Sequence, residues 1–154
     1  SFPYICDSKT KTMYDFIQKF HSGWAYLALL LLVFAVVNSF MGMSSKKEFT
    51  AKDRKIALFG LIATHIQLLV GLIVYFVSEK GFKAFAIEGA MKNSELRLTM
   101  LEHPLINIIA LALITIGWSK HKKAEGTLKF RKILFFYGIG LLLILSRIPW
   151  KTWF

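Results

Sequence analysis

The stretch LRLTMLEHPLINIIALALITIGW, residues 96–118, decides the fold because it is apolar over a length that crosses a membrane. The hydrocarbon core of a bilayer requires roughly 17–25 residues of helix. Backbone amides and carbonyls find no partners in lipid, so such a run is expected to be helical. Its polar exceptions, Glu102 and His103, are expected to face protein, because lipid penalises both side chains.

Three further runs have the same character, and 55% of the 154 residues are hydrophobic, above the usual share for a soluble domain. The three are GWAYLALLLLVFAVVNSFMGM (23–43), IALFGLIATHIQLLVGLIVYFVS (56–78) and ILFFYGIGLLLILSRIPW (133–150). The sequence therefore predicts an all-α fold, a four-helix transmembrane bundle. The predicted helices cover about 14–43, 56–78, 94–119 and 133–150.

The net charge of +11 is concentrated in the connections between these runs. Residues 45–55 and 119–132 are strongly basic, whereas the lysines of 79–95 are balanced by glutamates. The positive-inside rule then places both basic connections in the cytoplasm and both termini on the outer, periplasmic side of the inner membrane. The charge thus indicates topology rather than nucleic-acid binding, and attraction to anionic lipid follows from it.

The first twelve residues, SFPYICDSKTKT, lack the pattern of a signal peptide. We expect residues 1–12 to form an extension outside the membrane, and residues 13–154 to form one transmembrane domain whose first helix begins near Tyr14. Cys6 is the only cysteine, so the sequence predicts no internal disulfide and no c-type haem attachment.

Two histidines head stripes of small or polar residues on their helices, since residues three or four apart share one side. From His21 the stripe is Ala25, Ala28, Leu32, Ala35 and Ser39. Around His103 it is Thr99, Asn107, Ala110, Ile114 and Gly117. Small residues let membrane helices approach closely, so both histidines are expected to face the bundle interior. Gly138 and Gly140 are interpreted in the same way, as points of helix contact.

His21 and His103 are also expected at similar depths, about 3 Å apart along the bundle. Two neutral imidazoles on non-consecutive helices of a bundle are a standard means of holding a haem iron. The pair therefore predicts a b-type haem near the outer leaflet, with Arg147 beside its propionates and Glu102 as an acceptor that orients an imidazole. Zinc is less favoured, because only two ligands align.

Simpler interpretations remain open for each of these groups. An inward histidine can be an interhelical hydrogen-bonding residue, Arg147 can snorkel to the interface, and Glu102 can pair with Arg97 or Arg147. His65 is expected near mid-membrane, roughly 9 Å from the depth of His103.

His65 lies off the small stripe of its own helix, which is Gly60, Thr64, Gln67, Gly71 and Ser78. With Gln67 it suggests a quinone- or proton-handling site. His121 falls in a basic connection and is expected to be solvated.

Pro104 is expected to disturb the third helix, for which Asn93 or Ser94 is the start signal. Proline lacks the backbone donor that would bond four residues back, so the carbonyl of Met100 is expected to be free and the helix to kink there.

Four blocks of the sequence resemble the small four-helix membrane proteins of Bacteroidetes labelled cytochrome b or cytochrome-b-like. They are HSGWAYLALLLL (21–32), THIQLLVGLIVYFVS (64–78), EHPLINIIALALITIGWSK (102–120) and LILSRIPW (143–150). The resemblance covers the chain from Met13 onward. The chain is also distantly similar to one half of haem A synthase, whose four-helix halves hold a b-type haem between histidines near the outer side. That similarity implies His21 and His103 as the matching positions, but this chain has no second half.

The resulting hypothesis is a small subunit that passes electrons between a membrane quinol, or a partner oxidoreductase, and an acceptor at the outer surface. On this hypothesis the protein is an electron carrier or subunit more than a stand-alone enzyme. The alternative is a non-catalytic accessory subunit of a larger membrane complex, in which the polar groups only join helices. A quinone or proton site at His65 and Gln67 is a third interpretation.

Overall fold

The computed structural model describes residues 2–153, with side chains from residue 8 onward, so Ser1, Phe154 and the Cys6 thiol lie outside it. Within residues 2–153 the chain forms helices and no strand, which confirms the predicted all-α class. We name the five helices α1 (Phe2–Ser44), α2 (Ala51–Val77), α3 (Ser94–Lys123), α4 (Leu128–Ser146) and α5 (Trp150–Trp153).

Helices α1, α2 and α3 are each long and apolar enough to cross a membrane. Large apolar side chains lie exposed on the outside of the bundle, among them Leu30, Leu69 and Leu142, each about two-thirds accessible. Such surfaces are unusual on a soluble monomer and are typical of lipid contact. The chain therefore has the features of a multi-pass membrane protein. Helix α4 is the shortest of the four long helices, at 19 residues, and its first turns carry Lys129, Arg131 and Lys132.

The four long helices form a ring in which each packs against two neighbours. Helix α1 contacts α2 and α4, and α3 contacts the same two helices. As a result α1 and α3 lie across the bundle from each other. The halves of their inward stripes toward the basic connections are buried, and Leu32, Ala110 and Ile114 are fully inaccessible, as the small-residue pattern predicts.

Two helix boundaries differ from those expected. The expected start of the first helix near Tyr14 is wrong, because α1 already begins at Phe2. Only Pro3 opposes helix formation there, and in a first turn the missing amide of proline has no partner to lose. Helix α4 runs over Leu128–Ser146 rather than 133–150, and Pro149 separates it from the short α5.

One half of the bundle, toward the basic connections, is tightly packed. Its core consists of Leu32, Ala35, Ala57, Ile114, Trp118, Ile133 and Tyr137. The buried Tyr137 hydroxyl donates to the carbonyl of Ala57 at 2.9 Å, and the Trp24 indole donates to the carbonyl of Ala63 at 2.9 Å. These bonds join α4 to α2 and α1 to α2.

The opposite end is closed by the connection between α2 and α3. Two short 3-10 turns, Phe82–Ala86 and Ala90–Lys92, fold the connection back so that Ala84 and Ala90 pack on Met100. The sharp reversal between the turns uses Gly89, whose φ of 74° suits glycine. This small second core holds the start of α3 in place.

The close approach of α4 to α3 at Gly140 contributes to stability, whereas no other helix lies close to Gly138. A Cβ atom at Gly140 would lie 2.7 Å from Cγ1 of Ile114 and 3.1 Å from the carbonyl oxygen of Ala110. Gly140→Ala is therefore expected to destabilise the protein by about 1–3 kcal/mol through overpacking. Gly138→Ala meets nothing within 4 Å and is expected to stabilise by about 0.5–1 kcal/mol. Thermal unfolding of both variants in detergent measures the difference; equal midpoints would contradict it.

Candidate functional site

A cavity of about 260 Å³ lies in the half of the bundle away from the packed core. Its walls come from α1, α2 and α3, with Ile144 of α4 and Thr152 and Trp153 of α5 completing the lining. They include His21, Ala25, Ala28 and Leu32 of α1, Thr64, Gln67 and Gly71 of α2, and Thr99, His103 and Asn107 of α3. The small-residue stripes predicted from the sequence thus line one space. Among the aspartate, glutamate, lysine and arginine side chains that the structure describes, only Lys80 contributes to this lining.

The rings of His21 and His103 face each other in this cavity from opposite helices. Their centres are 6.4 Å apart, and their planes are nearly perpendicular, at 83°. A metal–imidazole bond is roughly 2 Å long and the ring centre lies roughly 1 Å further, so two rings on opposite sides of one metal have centres about 6 Å apart. The observed spacing is therefore compatible with a metal between the two rings.

The tautomer of His103 follows from its hydrogen bond. Its Nδ1 lies 2.8 Å from the carbonyl oxygen of Arg147, which can only accept, so this contact favours the tautomer with the proton on Nδ1. The Asn107 amide nitrogen lies 3.2 Å from the same Nδ1 and would donate to it only in the other tautomer, but its contact is the longer of the two. Its Nε2 then holds a free lone pair, as in histidines that bind metals. The Asn107 amide lies beside the same ring and donates to the carbonyl of His103 at 2.6 Å.

His21 is positioned by its neighbours on α2. A Cβ atom at Gly71 would lie 2.9 Å from Cε1 of His21, so only glycine allows the ring to lie this close to the helix. The amide nitrogen of Gln67 donates to the carbonyl of His21 at 2.8 Å. His21 Nδ1 and Gln67 Oε1 are buried without hydrogen-bond partners among the described residues. Buried polar atoms usually have partners, so these two mark the cavity as a place for a polar ligand or a metal group.

The structure places Glu102 and Arg147 differently from the haem hypothesis. Glu102 pairs with Arg97 at 3.0 Å and with Arg147 at 3.7 Å, which corresponds to the simpler interpretation of its role. The orienting acceptor for His103 is the backbone of Arg147, not the Glu102 carboxylate. The Arg147 guanidinium is half-exposed and does not line the cavity.

Lys80 reaches the cavity instead, and the sequence carries no signal for it. It belongs to the connection after α2, so helical periodicity does not apply to it. The same end of the cavity holds Tyr14, whose hydroxyl donates to the buried Ser78 at 3.2 Å.

A π-helical segment, Leu98–Glu102, precedes His103 in α3. The amide of His103 donates to the carbonyl of Leu98, five residues back, and Pro104 follows immediately. The carbonyl of Met100 accepts instead from the Tyr75 hydroxyl at 2.9 Å, which confirms that Pro104 frees it. Segments of this type are frequent at functional sites, and this one ends immediately before His103.

His65 and Gln67 are not brought together by the fold. Gln67 lines the cavity, whereas His65 is exposed on the outside of α2. His65 Nδ1 donates to the carbonyl of Leu61 at 2.7 Å, and its Nε2 lies 3.5 Å from the Thr115 hydroxyl.

The expectation that His121 is solvated is wrong. Helix α3 continues to Lys123, so His121 lies in its last turns rather than in a loop. Its ring is buried against Trp118 and Phe49, and its Nδ1 donates to the carbonyl of Trp118.

Comparisons of the chain with protein-family models, with curated proteins and with solved structures found no match. Across residues 2–153, no group of three or more histidine, cysteine, aspartate or glutamate side chains is placed to hold a metal ion. Of the histidine, cysteine, aspartate and glutamate residues that the structure describes, His21 and His103 are those that line the cavity.

The Tyr75 hydrogen bond is expected to matter because it serves a carbonyl left without its helical partner. Tyr75→Phe should lower the free energy of unfolding by about 1–3 kcal/mol, the cost of an unsatisfied buried acceptor. Thermal or denaturant unfolding in detergent measures this.

A double-mutant cycle tests whether the Tyr75 bond matters because Pro104 leaves the Met100 carbonyl without its helical donor. In Pro104→Ala the amide of residue 104 can again bond to Met100, so Tyr75→Phe should cost less in that background than in the wild type. Strictly additive effects of the two changes would contradict the assignment.

Proposed function

We propose that the protein is a small electron-transfer subunit of the inner membrane that binds one b-type haem between His21 and His103, near the outer leaflet. The observation that carries the proposal is that these two rings, on opposite helices, lie with their centres 6.4 Å apart in one cavity. Among the described residues, no carboxylate forms an ion pair with either imidazole. Both rings are therefore available to a metal in this respect.

The proposed topology has four spans, α1 to α4, with both termini outside. Three spans follow from length and composition. The basic residues of α4 lie only in its first turns, next to the basic connection, where long side chains can reach the cytoplasmic interface. The remainder of α4 is apolar and packs in the ring, which supports a fourth span.

Different residues would have different roles in holding a haem. His103 would present Nε2, because Nδ1 is engaged by the Arg147 carbonyl, and Gly71 would keep the His21 ring inside the cavity. Lys80, rather than Arg147, would neutralise a propionate, since Lys80 is among the residues that line the cavity and Arg147 is not. Bound by two imidazoles, haem supplies reversible one-electron transfer. A membrane quinol or a partner oxidoreductase would be the donor.

A second candidate is the accessory subunit of a larger membrane complex. The bond from His103 to the Arg147 carbonyl and the ion pair of Glu102 with the Arg147 side chain favour it, because both join the start of α3 to the residue that follows α4 without any cofactor. The two candidates predict different visible spectra, because a haem protein absorbs visible light and an accessory subunit without a cofactor does not.

The first test is a reduced-minus-oxidised visible spectrum of the detergent-purified protein, expressed with adequate haem supply. We expect a low-spin b-type spectrum that is lost in His21→Ala and in His103→Ala, because each removes one axial ligand. His65→Ala is the matched control and should keep the spectrum, since His65 lies outside the cavity. A folded but colourless wild type would contradict the proposal and favour the accessory subunit.

The role of Lys80 is tested by the midpoint potential of the haem. A cation near the propionates favours the reduced, more negative form, so Lys80→Gln should lower the potential, by on the order of tens of millivolts because Lys80 is exposed. Lys83→Gln is the control, because Lys83 lies on the same connection but pairs with Glu79 at 3.4 Å. Equal shifts of the midpoint potential in both variants would contradict a specific role of Lys80 at the haem.

A further inference from the structure

A second pocket lies at the opposite end of the bundle, where α2 begins, α3 ends and α4 begins. Its lining is Phe49, Thr50, Ala51, Arg54, His121, Lys122 and Lys129. Three of these side chains are cations, and none is a carboxylate. The pocket is separate from the histidine cavity and has no part in the proposed haem site.

Aromatic rings hold the three cations around this pocket. Arg54 and Lys122 both lie over the ring of Trp118, at 5.7 and 5.1 Å, and Lys129 lies over Phe49 at 5.9 Å. The Lys129 ammonium also donates to the carbonyl of His121 at 3.0 Å. Cation–π contacts of this kind favour particular positions of long side chains without neutralising their charge.

The positive charge of the pocket is not balanced by the protein. Within the described part of the chain, no carboxylate lies within 4 Å of Arg54, Lys122 or Lys129. Asp53, the neighbour of Arg54, is buried and already engaged: it pairs with Lys47 at 3.1 Å and accepts from Asn38 at 3.0 Å. The pocket is therefore complementary to an anion from outside the chain.

Exposed apolar side chains lie on α2 and α3 between the level of the pocket and the middle of the bundle. Phe59 and Ile62 follow Arg54 by one to two turns of α2 and are exposed by 54% and 45%. On α3, Ile116 precedes Lys122 by less than two turns and is exposed by 42%. A soluble anion makes no contact with these apolar side chains, whereas the acyl chains of a lipid pack against such side chains.

We propose that this pocket binds the phosphate of an anionic phospholipid, with Arg54, Lys122 and Lys129 around the headgroup and the acyl chains along Phe59 and Ile62. Arginine can bond two phosphate oxygens at once, and the lysines add charge. Basic pockets between membrane helices bind such headgroups in general. The proposal is independent of the haem, since it uses none of the residues of the histidine cavity.

The test uses the full chain in neutral detergent and counts bound lipid by native mass spectrometry. Phosphatidylglycerol and phosphatidylcholine with identical acyl chains are compared. The wild type should bind phosphatidylglycerol about tenfold or more tightly, because the two lipids differ in headgroup charge. The triple variant R54Q/K122Q/K129Q should lose this preference.

The control is K52Q/K55Q/K123Q, which removes the same charge from exposed positions at the same helix ends, outside the pocket. It should keep the preference. Equal losses in both triple variants would overturn the proposal in favour of diffuse attraction. Displacement of the lipid by millimolar inorganic phosphate would overturn it in favour of a soluble-anion site.

Folding of the variants does not decide the outcome. If the triple variant is unstable, the single change Lys122→Gln at an exposed position should still weaken phosphatidylglycerol binding severalfold relative to Lys123→Gln. A wild type that binds both lipids equally overturns the proposal without any variant.

Discussion

Close approach of helices in one half of the bundle is the constraint on which the remaining features depend. Gly140 lies against the Ala110 carbonyl and Ile114, and Gly60 lies against α1, where a Cβ would be 3.6 Å from the carbonyl oxygen of Leu31. Because lipid supplies no hydrophobic force between helices, such contacts must come from small residues and hydrogen bonds. The Tyr137–Ala57 bond adds one of the latter. With the ring secured there, the other half can hold a cavity.

The chemistry of that cavity depends on how the start of α3 is built. The π-helical segment and Pro104 together disturb the helix immediately before His103, and Tyr75 satisfies the carbonyl that they release. The connection between α2 and α3 packs on Met100 and fixes the same segment from outside. The backbone that carries His103 is thus held by residues from separate parts of the chain.

The two ends of the bundle differ in chemical character. One end has a largely apolar cavity whose lining includes two histidines and Lys80. The other has a shallow pocket of cations held by Trp118 and Phe49. We propose a haem for the first and an anionic lipid for the second, and the two linings have no residue in common.

The sequence alone determined the helical class, the apolar runs and the inward faces, because burial of small residues has a local period that can be counted. It also determined the freed carbonyl of Met100, which follows from the covalent structure of proline. The position of Lys80, the burial of His121 and the exposure of His65 were decided by tertiary structure. Lys80 lies in a connection without periodicity, and His121 is covered by Phe49, which is distant in sequence. The two contacts of Arg147 were also decided by the fold: its carbonyl accepts from His103, and its guanidinium pairs with Glu102. A sequence pattern does not indicate whether the backbone or the side chain of a residue makes a contact.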